Sequence, residues 1–178
     1  MDNEWDINLK PGVIWLTGLS GAGKTTIAIQ LSAIFKTKQI IPILLDGDDI
    51  RQAFEQNGFD ENSRKLHNKS IGKLASLLEM QGHIVVVALI SPYADIRNHI
   101  RSICKNFIEV YVATDLEVCK QRDTKGLYKK AMIGEIKEFT GISAPYFKPE
   151  NPEVIIDTSD TSLENCCAKI FSVYLKTK

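Results

Sequence analysis

Gly18-Leu-Ser-Gly-Ala-Gly-Lys-Thr25, written GLSGAGKT, has the spacing G-x-x-x-x-G-K-[ST]. An apolar, β-rich run, VIWLT (13–17), leads into it, and a helix-period stretch beginning near Gly23 follows. In that setting the glycines let backbone N–H groups converge on a phosphate, and the start of the helix adds its positive dipole end. Average residue usage gives such a pattern by chance in about half a percent of chains of this length; with strand and helix in place, chance is negligible. The stretch predicts a nucleoside triphosphate site built from Gly18, Leu19, Ser20, Gly21, Ala22, Gly23, Lys24, Thr25 and Thr26. Lys24 is expected to reach the β- and γ-phosphates, and the Thr25 hydroxyl to ligate Mg²⁺. The base-reading Asn-Lys-x-Asp of GTP-binding proteins is missing, since Asn68-Lys69 runs into Ser-Ile, so ATP is the expected donor.

Outward from this loop, short apolar runs alternate with helical patterns. IIPILLD (40–46), HIVVVALIS (83–91), FIEVYVAT (107–114) and EVIID (153–157) join VIWLT as strands. Their near-continuous apolar character marks strands covered on both faces, as in parallel sheets. Helices are expected near 24–36, 62–81, 94–104, 115–122 and 161–175, with Ser91-Pro92 and Thr161 with Glu164 as start signals. The rhythm predicts one α/β domain over residues 1–178. Its core is a doubly wound, parallel five-stranded sheet flanked by helices, the P-loop nucleoside-triphosphate hydrolase fold. Residues 123–152 interrupt it, rich in Lys, Gly and Pro and without a strand. An irregular segment of that length in a compact domain reads as a lid.

Composition narrows the partners. Twenty-two basic residues balance twenty-two acidic ones, so no overall field draws the chain to nucleic acid or to an anionic membrane. The acidic start, MDNEWDINLKPG, is neither a secretory signal nor a transit peptide, and the apolar runs are strand-sized. A cytoplasmic protein is expected. Cys104, Cys119, Cys166 and Cys167 form no CxxC pair and have no His at zinc spacing, so they read as thiols in a reducing compartment.

The second strand ends in Asp46-Gly-Asp48-Asp49-Ile-Arg51. Ligands of open α/β sheets gather at the carboxyl ends of strands, which turns these acids toward the phosphate site. Transfer of a phosphoryl group to a hydroxyl needs a carboxylate to orient and deprotonate the nucleophile and to help hold Mg²⁺, and Asp48 is placed for either role. A helix N-cap with first-turn acids also fits DGDD. Arg51, one turn on, can anchor an anionic acceptor.

GLSGAGKT, DGDDIR, ISPYADIR, EVYVATDLEVCKQRD, KGLYKKA and GEIKEFTGISAPY, in this order, resemble the adenylylsulfate kinase (APS kinase) family from about Pro11 to Asp157. The resemblance implies transfer of the γ-phosphate of ATP to the 3′-hydroxyl of adenosine 5′-phosphosulfate, giving PAPS and ADP in sulfate activation. It implies that Lys24 and Thr25 hold ATP and Mg²⁺ and that Asp46 and Asp48 sit at the transfer point. Arg51 and Arg64 would contact the acceptor's anionic groups, and Phe59 and Phe139 would sandwich its adenine. Lys125, Lys129 and Lys130 would belong to the lid. Ser91 matches a serine described in the family as a phosphoserine intermediate. On physical grounds an N-cap before Pro92 explains that serine as well, because direct in-line transfer needs no covalent step. Homodimers are common among such relatives.

One segment departs from the family pattern Arg-x-x-Asn-Ile-Arg-Arg-Ile-Gly. Here Arg64, Ile71 and Gly72 keep register, but His67 replaces Asn and Lys69-Ser70 replace Arg-Arg. Arg to Lys forfeits bidentate recognition, Arg to Ser removes a charge, and His67 is a group that can be partly protonated near neutral pH. Asp49 stands where Asn is usual. The donor half of the site is intact and the acceptor half altered. Two kinase readings therefore stay open: an APS kinase with a retuned pocket, or a relative acting on another nucleotide conjugate such as cytidine diphosphoramidate in capsule biosynthesis. A nucleotide-dependent switch or binding module without transfer chemistry is the reading from a different class, and DGDD with a lysine-bearing lid argues against it.

Overall fold

The computed structural model describes residues 9–55 and 58–177, so most of the acidic N-terminal stretch lies outside the described residues. The chain runs β1 (Gly12–Thr17), α1 (Lys24–Thr37), β2 (Ile43–Asp46), α2 (Gly47–Ala53), α3 (Glu61–Met80), β3 (Ile84–Ala88), α4 (Ala94–Ile103), β4 (Phe107–Val112), α5 (Leu116–Arg122), α6 (Leu127–Met132), β5 (Val154–Ile156) and α7 (Leu163–Tyr174). All five expected strands form. They pair in parallel in the order β2-β3-β1-β4-β5, with Ile14 of β1 opposite Val86 of β3 and Ile108 of β4.

Alternation along β1 divides the core into two layers. Ile14 and Leu16 pack with Ile27, Leu31 and Phe35 of α1 and Ile170 of α7. Val13 and Trp15 face the other way, toward Ile71 and Ala75 of α3 and Ile96 and Ile100 of α4. Both faces of the central strands are therefore covered, which is why β1 and β3 are buried at every position and read as continuous apolar runs. Because β1 is central, its carboxyl end opens between β3 and β4, where ligands of such sheets bind. Among the described residues, no helix is long and apolar enough to cross a membrane.

Three local expectations need correction. The 123–152 segment is not wholly irregular: it holds α6, whose first amides are capped by Asp123, Oδ1 accepting from Tyr128 N at 2.9 Å and Oδ2 from Lys129 N at 3.1 Å. Ser91 is not the cap of α4. That helix starts after Tyr93, and Ser91 sits two residues earlier in the left-handed region, φ 46°. At the last helix the cap is Ser162, accepting from Asn165 N, rather than Thr161. The DGDD stretch forms α2 with Asp46 as its N-cap, so the capping reading of these acids holds alongside the chemical one.

Candidate active site

The loop between β1 and α1 is fastened from outside. Thr114 Oγ1 and Thr158 Oγ1 donate to Ala22 O at 3.1 and 2.9 Å, Arg122 Nη1 to Gly21 O at 3.3 Å, and Tyr128 OH to Ser20 O at 2.9 Å. Three successive carbonyls are thus held by side chains, which fixes the loop so that the orphan amides at the start of α1 face its concave side. Gly23, the N-cap of α1, has φ 101°, a conformation that a side chain would strain. A Cβ at Gly18 would stand 2.5 Å from Val112 O, so the loop can leave the sheet beside β4 only with glycine there.

Lys24 is buried at the mouth of this loop, Nζ donating to Gly18 O at 3.0 Å and Leu19 O at 2.7 Å. Burial pulls its pKa down to about 8, while Cys119, Asp46 and Asp48 draw it back up. Burying an ammonium is costly, and an anionic ligand beside it relieves that cost.

Thr25 Oγ1 donates to Asp46 Oδ2 at 2.7 Å, and Asp46 Oδ1 accepts from Asp48 N at 2.9 Å. Asp46 is therefore the buried carboxylate next to the Thr25 hydroxyl, while Asp48, expected there, is exposed and ion-paired with Lys125. The Asp48–Lys125 pair brings the segment after α5 onto the end of β2. Thr26 and Lys130 are exposed, on α1 and α6.

The expected acceptor residues fall into two groups. Arg51 donates to Gly58 O at 2.9 Å and stacks on Phe59, guanidinium to ring centre 4.8 Å, and this ring is exposed. Arg64 reaches from α3 to Glu138 O and Thr140 Oγ1, each at 3.0 Å, so it grips the residues on both sides of Phe139. Phe139 itself is buried edge-on against Tyr128, ring centres 5.0 Å apart. The two phenylalanines are not in ring contact among the described residues. Each is packed on a partner from its own side, Phe59 on Arg51 and Phe139 on Tyr128.

His67 corrects another expectation. It is buried, hydrogen-bonded to the Gly47 backbone, and pushed down to about 4 by burial and by the neighbouring Arg51 charge. It is a neutral imidazole at neutral pH, not a partly charged one. Lys69 and Ser70, the other altered positions, are exposed on α3. Ser91 Oγ is buried with no hydrogen-bond partner among the described residues, so no base is in place to activate it. A cavity of about 540 Å³ lies beside the phosphate loop, between Leu19, the end of β4 and Gly141–Tyr146.

A family model described as adenylylsulphate kinase matches residues 10–157. The chain belongs to the adenylylsulphate kinase family. The adenylyl-sulfate kinase of Staphylococcus carnosus is 44% identical over 164 residues, 90% of this chain and 82% of that protein. That of Rippkaea orientalis is 48% identical over 159 residues, 89% and 88% of the two chains. Among solved structures, the Mycobacterium tuberculosis APS kinase in complex with AMPPNP and APS aligns with a TM-score of 0.87 at 35% identity, covering 93% of this chain and 98% of that one.

The sequence does not single out the residues that hold the phosphate loop from outside. Thr114 and Thr158 stand just past the carboxyl ends of β4 and β5, where the strand-end rule points. Arg122 closes α5, donating to Thr158 Oγ1 at 2.7 Å and Thr158 O at 2.9 Å. Nothing in the spacing of these residues reveals that they converge on Gly21 and Ala22.

Proposed function

We propose that this chain transfers the γ-phosphoryl group of ATP to the 3′-hydroxyl of adenosine 5′-phosphosulfate, producing PAPS and ADP. The observation that carries the reading is the convergence at the end of β2: Thr25 bonded to Asp46, Asp48 beside them, and Lys125 drawn in from the lid segment. The loop amides and Lys24 hold the triphosphate. Asp48 orients the acceptor hydroxyl and takes its proton as the 3′-oxygen bonds to the γ-phosphorus and the bond to the β–γ bridging oxygen breaks. Lys125 exchanges its Asp48 partner for phosphate oxygens, which frees the carboxylate for that proton. Arg51 and Arg64 meet the acceptor's anionic groups, and the exposed face of Phe59 supplies a stacking surface for its base.

The donor set fits Mg²⁺, a hard ion that prefers a hydroxyl, a carboxylate and phosphate oxygens. Thr25 and Asp46 would hold it, with Asp48 nearby, and when bound it would neutralise charge on the phosphates.

The altered α3 segment also supports an adenosine 5′-phosphosulfate acceptor. His67 is neutral, as the usual Asn would be, and Lys69 and Ser70 lie on the surface. All four cysteines are free thiols, which supports a cytoplasmic location. Exposed Leu66, Leu77 and Met80 along α3 give a homodimer a surface to use. The test is acceptor-dependent ADP release with ATP and Mg²⁺, comparing adenosine 5′-phosphosulfate with cytidine and uridine diphosphate conjugates. Turnover with the first supports the reading; silence there with turnover on a pyrimidine conjugate transfers the enzyme to another acceptor.

A further inference from the structure

Arg97, on α4, belongs to none of the groups above, yet it is buried and its guanidinium reaches three different parts of the chain. Nε donates to Glu109 Oε1, Nη1 to Ser91 O and Nη2 to Phe147 O, each at 2.7 Å. Ser91 is the residue at φ 46°, a backbone conformation that a side-chain-bearing residue keeps only where its surroundings impose it. Phe147 lies at the far end of the lid segment, and its amide donates to Pro92 O at 2.9 Å, so the two stretches are stapled to each other as well. Tyr146 OH and Thr17 Oγ1 lie 2.9 Å apart, and Thr17 Oγ1 donates to Ile90 O at 2.7 Å. Thr17 is the last residue before the phosphate loop.

We infer that Arg97 is a positioning residue that locks the Ile90–Ser91 turn and the returning end of the lid segment to the base of the phosphate loop. Only a planar fork with donors on three sides can do this; an ammonium supplies a point charge and no fixed directions. Glu109 orients the fork. It is buried on β4, its Oε2 accepts from Arg101 Nη2 at 3.1 Å, and Arg101 is in turn held by Glu153 at 2.5 and 2.8 Å. Glu153 Oε2 also accepts from Glu109 N at 2.7 Å, which ties the network to the residue before β5. Two separate pieces, the Ser91 stretch and the end of the segment carrying Arg64's partners Glu138 and Thr140, are thus held by one side chain. The consequence for acceptor binding rests on the function proposed above; the locking of the two stretches does not.

The experiment compares Arg97→Lys and Arg101→Lys with the wild type. Arg101 shares the network but contacts neither Ser91 nor Phe147, so it serves as the control. Amide hydrogen exchange over residues 89–94 and 144–149, measured on the full chain without nucleotide, should speed up by about tenfold or more in both stretches for Arg97→Lys and stay at wild-type rates for Arg101→Lys. In steady-state assays with adenosine 5′-phosphosulfate, Arg97→Lys should raise the acceptor KM about tenfold while the KM for ATP stays within about twofold. Wild-type exchange in both stretches, or equal effects from the two variants, overturns the inference. Unchanged kinetic constants with a lowered melting temperature overturn the positioning role and leave a merely structural one. If the wild type fails to use this acceptor, the proposed function falls, while the exchange result still decides the role of Arg97.

Discussion

Raising the pH through 8 should weaken ATP binding, and the cause is one buried ammonium. Lys24 is mostly protonated at neutral pH, but its burial against Gly18 O and Leu19 O brings its pKa from 10.5 down to about 8. The triphosphate selects the protonated form. At about pH 9 only roughly one nucleotide-free molecule in eleven carries that proton, so the apparent Kd should be about tenfold weaker than at pH 7, or ~1.4 kcal/mol. The nucleotide contributes little to this slope, because a terminal phosphate with a second pKa near 6 is fully ionised over the range. Burial also pushes the neighbouring Cys119 thiol up. Calorimetric titration in buffers of different ionisation heat should show proton uptake approaching about one per ATP at pH 9. The linked effect on stability has a definite sign. The folded pKa lies below the unfolded one, so charged Lys24 destabilises the nucleotide-free protein by roughly 3 kcal/mol below pH 8, and that cost fades as the pH rises toward the unfolded value. Relative to Lys24→Met, the wild type should gain ~2 kcal/mol in unfolding free energy between about pH 7.5 and 9.5. A Kd that is flat to about pH 9.5, with no proton uptake, would refute this account of Lys24.

Two substitutions separate the acids at the end of β2. Asp48→Ala should leave the ATP Kd within about threefold and lower kcat by roughly 10²-fold or more, checked by calorimetry and single-turnover assays; unchanged turnover removes Asp48 from the chemistry. Asp46→Ala should destabilise the fold by ~1–2 kcal/mol in urea unfolding, because α2 loses its cap and the Thr25 hydroxyl its acceptor, and it should also weaken Mg²⁺-dependent nucleotide binding; neither change would show that Asp46 is dispensable.

The fold was legible because the strands are buried on both faces and carry little but apolar residues, so VIWLT and HIVVVALIS announce themselves without alternation. Helix α6 was not, being six residues long and capped by Asp123 rather than marked by periodicity, and α2 showed only as the capping pattern of DGDD. The donor site was legible for a related reason: its backbone geometry demands glycines at set positions, and that demand is written in consecutive residues. Roles that depend on convergence from distant segments were hidden. Asp46 and Asp48 stand two apart, and only the fold puts Thr25 on the first and Lys125 on the second. Ser91 resembled a cap because Ser-Pro commonly starts helices, yet the turn imposed by Arg97 overrides that local preference. His67 titrates near neutrality in water, and only burial beside Arg51 makes it neutral.

The most direct test of the central claim follows the phosphoryl group itself. The enzyme would be incubated with γ-labelled ATP, Mg²⁺ and adenosine 5′-phosphosulfate, and the label located by phosphorus NMR of the separated products. The account predicts one label per ADP formed, in a phosphomonoester on the ribose 3′-oxygen, with the phosphosulfate linkage intact. Label recovered as inorganic phosphate at the same rate with or without the acceptor, or on any other oxygen of it, would contradict the account.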